Sequence, residues 1–281
     1  MTMKNFDMKR FAQLLQYDVV SNWRNHVSFA IGAFLAHFAT QFGVIYIAVK
    51  SMRHALPERA GDICEDAANL SFVVSFIVFS VAMSLMFANL KTKPKRIAYL
   101  MLPATNAEKF LSRFILFTLG AWVVNFVAFV FADLLRMLVL SGMWVSVDSV
   151  VPEAFCSMHA FLTEVLQSWS RISDNGVSQG WYVLFFFSSL LLQFILFMLG
   201  SVFFRNRAFL KTATCMFGLG MFIMVLGLSV TINGRNVALM LSMSDSWLPA
   251  IVLLSFVLEL VLVGFSYRLF KRMPVVRRKL F

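Results

Sequence analysis

Of 281 residues, 60% are hydrophobic and only 14% are charged, against about 25% charged in an ordinary soluble domain. The charges cluster between long apolar runs, which excludes a soluble core as the destination of those runs. A net charge of +11 on a free surface would point to nucleic acid. Here the Lys and Arg residues flank the apolar runs, so they read as topology signals and contacts for anionic headgroups.

Residues 6–24 read as an amphipathic helix on the cytoplasmic face of a membrane. Met8, Phe11, Leu15, Val19 and Trp23 recur at three- and four-residue spacing, while Lys9, Arg10, Gln13 and Arg24 fall elsewhere on the wheel. The apolar run that follows is too long for a signal h-region and is expected to stay as an anchor. Six spans are expected, at 27–49, 69–90, 114–135, 182–204, 211–231 and 248–268. Each holds about 20 residues, enough at 1.5 Å per residue to cross roughly 30 Å of hydrocarbon. The expected fold is all-α, a polytopic helical bundle forming one domain over 1–281. Its parts are a cytoplasmic elbow at 1–26, the spans over 27–268 and a basic tail at 269–281.

The internal segment 91–113, KTKPKRIAYLMLPATNAEKFLSR, is the most informative stretch. Thr105 and Glu108 fit the capping box, in which each side chain reaches the other residue's backbone amide. Pro103 upstream stops the preceding chain from running on as one helix. A short element at 95–101, a break, and a new helix entering the third span are therefore expected.

Further along, Asp133 and Arg136 lie three apart at the outer end of the third span, a spacing that gives a local ion pair. The outer loop 141–181 is expected to hold a helix capping the bundle. Pro152 suits a first turn, and Phe155, Met158, Leu162, Val165, Leu166 and Trp169 form an apolar stripe. Cys64 and Cys156 both fall in external loops, where a disulfide is one possibility. Cys215 lies inside a span. Glu259 sits near the middle of the last span, where a carboxylate costs roughly 3 kcal/mol on insertion scales and marks a polar pair or a pathway. His37, Gln41, Asn125 and Gln193 are candidate partners by type, and a structural contact and a substrate or gating role both stay open.

Orientation follows from Lys and Arg. With the N-terminus inside, nineteen of the 25 basic residues fall on the cytoplasmic side, alternating at every crossing, so both termini are expected in the cytoplasm. Glu58, Asp62, Glu65, Asp66, Asp148, Glu153, Glu164 and Asp174 leave the external loops acidic. No internal repeat, zinc-like spacing or Ser-His-Asp set is evident, so no catalytic activity, metal or cofactor is expected.

Leu102-Pro103-Ala104-Thr105, followed by Glu108-Lys109 and Leu111, resembles the elbow after the second span of type 2 ATP-binding-cassette permeases. The amphipathic N-terminus, six spans and internal termini agree with that family. The resemblance implies a transporter subunit of a bacterial inner membrane that works with a second permease copy, as a homo- or heterodimer. Coupling to the ATPase would run through Lys93, Lys95, Arg96, Leu102, Pro103, Thr105, Glu108 and Lys109. No G-x-x-x-x-G-K-[ST] loop occurs, so the ATPase would be a separate subunit. A non-transporting sensor or scaffold is the alternative from another class, and an ion-coupled carrier the third. The substrate is not legible.

Overall fold

A computed structural model describes residues 6–51, 56–142, 148–170, 178–204, 207–232 and 247–272; the side chains of 51, 56–61, 89, 91, 93 and 223–232 lie outside that description. The described residues form ten α-helices and no strand. In chain order these are α1 (Met8–Ser21), α2 (Trp23–Ser51), α3 (Leu56–Leu85), α4 (Lys93–Leu100) and α5 (Asn106–Ile115). They continue with α6 (Ala121–Gly142), α7 (Val150–Ser168), α8 (Gly180–Phe203), α9 (Ala208–Ile232) and α10 (Leu248–Lys271). A 3-10 turn, Ala88–Lys91, follows α3, and a π-turn, Leu116–Gly120, joins α5 to α6.

Five segments are long and apolar enough to cross a membrane: Trp23–Lys50, Asp62–Leu85, Asn106–Gly142, Gly180–Phe203 and Leu248–Lys271. Between 11% and 39% of their most apolar windows is buried inside the chain. Such apolar helices leave most of their surface for lipid, which identifies an integral, multi-pass membrane protein. α9 is apolar over its described side chains, Ala208–Phe222.

Several boundaries differ from expectation for local reasons. The N-terminal helix ends at Ser21, where the Asn22 side-chain amide donates to the Asp18 carbonyl at 3.0 Å, and α2 starts at Trp23 rather than 27. α3 ends at Leu85 rather than 90, and Pro94 then stands in the first turn of α4, where its missing N–H costs nothing. The third span is longer than 114–135, because α5 feeds α6 through the π-turn and the candidate span runs from Asn106 to Gly142. The helix expected in the outer loop is α7.

Within the chain read as one domain, two compact units are distinct: residues 1–82 with 103–161, and 83–102 with 162–281. In the first unit α2 packs along α6 and α1 on α5. Ile45, Ala67, Ala68, Phe129, Leu140 and Val150 share its main buried cluster, where the two alanines let helices approach closely. In the second unit α8 packs against α10 and α9. Ser255 on α10 donates to Ser188 on α8 at 2.9 Å. Gly200 on α8 backs directly onto Thr212 of α9, so that a Cβ there would collide with the Thr212 hydroxyl. The Trp169 ring likewise covers the face of Gly180, and the Phe87 and Phe270 rings meet at 5.3 Å.

Candidate functional site

The candidate site is the junction of α1 with α5, where the internal elbow enters the third span. Thr105 sits in extended backbone as the N-cap of α5. Its hydroxyl accepts the Glu108 N–H at 3.2 Å, and the Glu108 Oε2 atom accepts the Thr105 N–H at 2.7 Å. The expected capping box is formed. The second carboxylate oxygen is committed too: Glu108 Oε1 accepts the backbone N–H of Asp7 at 2.9 Å and Arg10 Nη2 at 3.0 Å. Asp7 is itself the N-cap of α1, accepting from the Lys9 N–H. One carboxylate, fully buried at 0% exposure, therefore satisfies the N-cap amides of two helices, reaching across 101 residues of sequence to Asp7. Its negative charge lies at the positive ends of both.

A second contact lies further along both helices. Asp18, 1% exposed, accepts Ser112 Oγ at 3.0 Å and pairs with Arg113 at 3.3 Å. Asp7, Arg10, Leu14 and Asp18 fall three and four residues apart, one face of α1, and Leu14 and Asp18 are its buried residues. The apolar stripe read from sequence is a different face, and Met8, Val19 and Trp23 on it are exposed. α1 thus presents its charged face to α5 and leaves apolar residues outward, the arrangement of a helix with lipid on its other side.

The expected coupling residues divide by burial. Arg96, Glu108 and Lys109 are buried, Leu102 and Thr105 half-buried, and Lys95 and Pro103 exposed; the Lys93 side chain lies outside the described residues. Glu108 works inside the fold, and among the described side chains of that set Lys95 and Pro103 are the exposed ones. The basic tail from 273 also lies outside the described residues.

Of the intramembrane polar residues, His37 and Asn125 pair with each other, Nε2 to Oδ1 at 3.0 Å, and Phe129 stands edge-on to the His37 ring. Gln41, one turn further along α2, is buried with neither amide atom bonded among the described residues. Glu259 is buried at 5% exposure, with Oε1 unbonded among the described residues. Gln193 is half-buried and makes no bond to it.

One expectation needs correction. Cys64 and Cys156 are both free thiols, so the disulfide is not formed. Cys64 is buried on α3 and donates to the Asp148 carbonyl at 3.7 Å, whereas Cys156 is exposed on α7. The expected Asp133–Arg136 pair is formed at 2.6 Å, and both side chains are buried. Arg136 also donates to the Asp148 carbonyl at 2.8 Å, and Asp133 accepts Ser149 Oγ at 2.5 Å and the Val150 N–H at 3.1 Å. The pair fastens the start of α7 to α6.

Sequence reading missed Asp7, Asp18, Ser112 and Arg113 as site residues. The available signal was the acid at Asp18 recurring four residues after Leu14 and eight after Arg10. Among the described residues, no three His, Cys, Asp or Glu side chains gather to hold a metal ion. No family model, curated protein or solved structure matches the chain.

Proposed function

We propose that this chain is the membrane-spanning subunit of a type 2 ATP-binding-cassette exporter, driven by a separate ATPase and paired with a second permease copy. In this reading α9 also crosses the membrane, as the fifth of six spans. Both termini face the cytoplasm of a bacterium whose inner membrane the chain occupies, as the Lys and Arg distribution favours. The N-terminal helix lies on the cytoplasmic membrane surface, with its outward apolar residues at the headgroup boundary.

The observation that carries the reading is the braced elbow. Glu108 ties the N-terminal helix to the helix that leads into the third span, and Asp18 with Arg113 ties them again one to two turns on. A push delivered by an ATPase at the elbow would move α1, α5 and α6 as connected parts. An unbraced loop would absorb the same push by bending. Exposed Lys95 supplies a cationic contact for that partner.

The direct experiment is purification of the tagged chain in gentle detergent, with mass spectrometry of what accompanies it. A stoichiometric ATPase of this class is the expected companion. An intact, monodisperse chain that brings none down would reject the reading. Charge reversal at Lys95 should then lower ATPase stimulation by the permease while leaving the chain folded.

An ion-coupled carrier is a second reading, and Glu259 is the observation in its favour: a buried carboxyl at the middle of α10 with one oxygen unbonded among the described residues. Transport by the chain alone, in vesicles under an ion gradient, would establish it.

A further inference from the structure

α7 has three distinct faces, and one of them has been assigned nothing. Val150 and Ala154 enter the buried cluster of the first unit beside Phe129 and Leu140. Cys156, His159 and Ala160 are exposed on a polar or small face. Between these, Phe155, Met158 and Leu162 are exposed within an arc of about 60° at 100° per residue.

The depth of that arc follows from two contacts with α6. Asp133 holds the first amide of α7, at Val150. Five residues later the Phe155 ring lies edge-on to Phe126 at 6.1 Å. Phe126 precedes Asp133 by seven residues, about 10 Å along α6. It also adjoins Asn125, the partner of His37, which is the central residue of the 29-residue α2. From the Gly142 end of α6, the first half of α7 therefore runs back toward the level of the middle of the span. Phe126 belongs to the exposed apolar face of α6, with Trp122, Val123 and Leu134. Phe155 continues that face without interruption.

We propose that α7 is a membrane-embedded interfacial helix rather than a cap standing in water. Phe155, Met158 and Leu162 sit among the acyl chains of the leaflet at the Gly142 end of α6, while Cys156 and Ala160 face headgroups and water. Continuity with the lipid face of a spanning helix selects acyl chains as the occupant. The absence of Lys and Arg from Val150–Ser168 agrees, since no cation has to be immersed. The inference rests on α6 crossing a bilayer and is independent of the transport reading.

Nitroxide labels on the full-length protein in phosphatidylcholine–phosphatidylglycerol vesicles test it. Native Cys156 is labelled in a Cys215→Ser background. Phe155→Cys, Met158→Cys and Ala160→Cys are labelled with Cys156→Ser added, and buried Cys64 is kept throughout. Collision with oxygen should exceed collision with nickel-EDDA several-fold at 155 and 158, with the order reversed at 156 and 160. Nickel access at 155 and 158 equal to that at 160 would overturn the proposal, because the helix would then stand in water. Low access to both reagents would overturn it in another way, because a protein surface would then cover the arc. A diazirine-bearing phospholipid supplies a check on the unsubstituted chain: it should modify Phe155 and Met158, and a clean 150–161 peptide would count against the proposal.

Discussion

Glu108 Oε1 accepts the N–H of Asp7 at 2.9 Å while its other oxygen accepts the N–H of Thr105 at 2.7 Å, so one side chain caps both α1 and α5. Each helix begins with amides that lack intrahelical partners, and a carboxylate between two such ends serves both. The elbow and the N-terminal helix are consequently one structural part, although 101 residues separate Asp7 from Glu108 in sequence.

Glu108→Ala should release that part. It removes a capping box, worth about 1 kcal/mol, together with the acceptor for the Asp7 N–H and the 3.0 Å contact to Arg10. Limited proteolysis of the detergent-solubilised protein should cut near the N-terminus faster than in the parent chain. An unchanged cleavage rate and melting temperature would show that α1 is not held this way.

The Asp18–Arg113 pair invites a double-mutant cycle. Asp18→Asn breaks the buried ion pair with Arg113, a loss of about 3–5 kcal/mol. Adding Arg113→Met removes the other charge of the pair, so the double variant should be more stable than the Asp18→Asn single variant. Strictly additive losses would mean the two side chains do not interact.

Gly200→Ala places a methyl against Thr212 where α8 and α9 meet. Overpacking of this kind costs about 1–3 kcal/mol. Thr212→Ala in the same chain clears the space and should restore most of the melting temperature. No rescue would place the α8–α9 crossing elsewhere.

Asp133→Ala should loosen the start of α7, since it strips the partner from buried Arg136 and the acceptor from Val150. Cys64 reports the change, because its thiol is buried beneath Asp148. Maleimide labelling of Cys64 should rise by roughly tenfold, in proportion to an opening cost lowered by about 1.4 kcal/mol. Labelling as slow as in the parent chain would show that the network does not guard that site.

Local features were legible wherever one segment carries its own physics. The capping box at Thr105 and Glu108 needs only its own four residues, and α7 announced itself through Pro152 and a helical stripe. The second use of Glu108 was not legible, because Arg10 and Asp7 are distant in sequence. The Asp133–Arg136 spacing gave the pair, but its burial depends on Asp148 and Ser149 folding back over it. Cys64 and Cys156 are alike in sequence as loop cysteines, and only the fold separates a buried thiol from an exposed one.

The sequence by itself determined that this chain lives in a membrane and is built from helices. Those properties come from the length and apolarity of single segments, which no neighbour needs to supply. The tertiary structure decided which polar groups are consumed inside the protein and which remain outside. A charge such as Glu108 is neutralised by whatever the fold brings within about 3 Å, and composition carries no record of that distance.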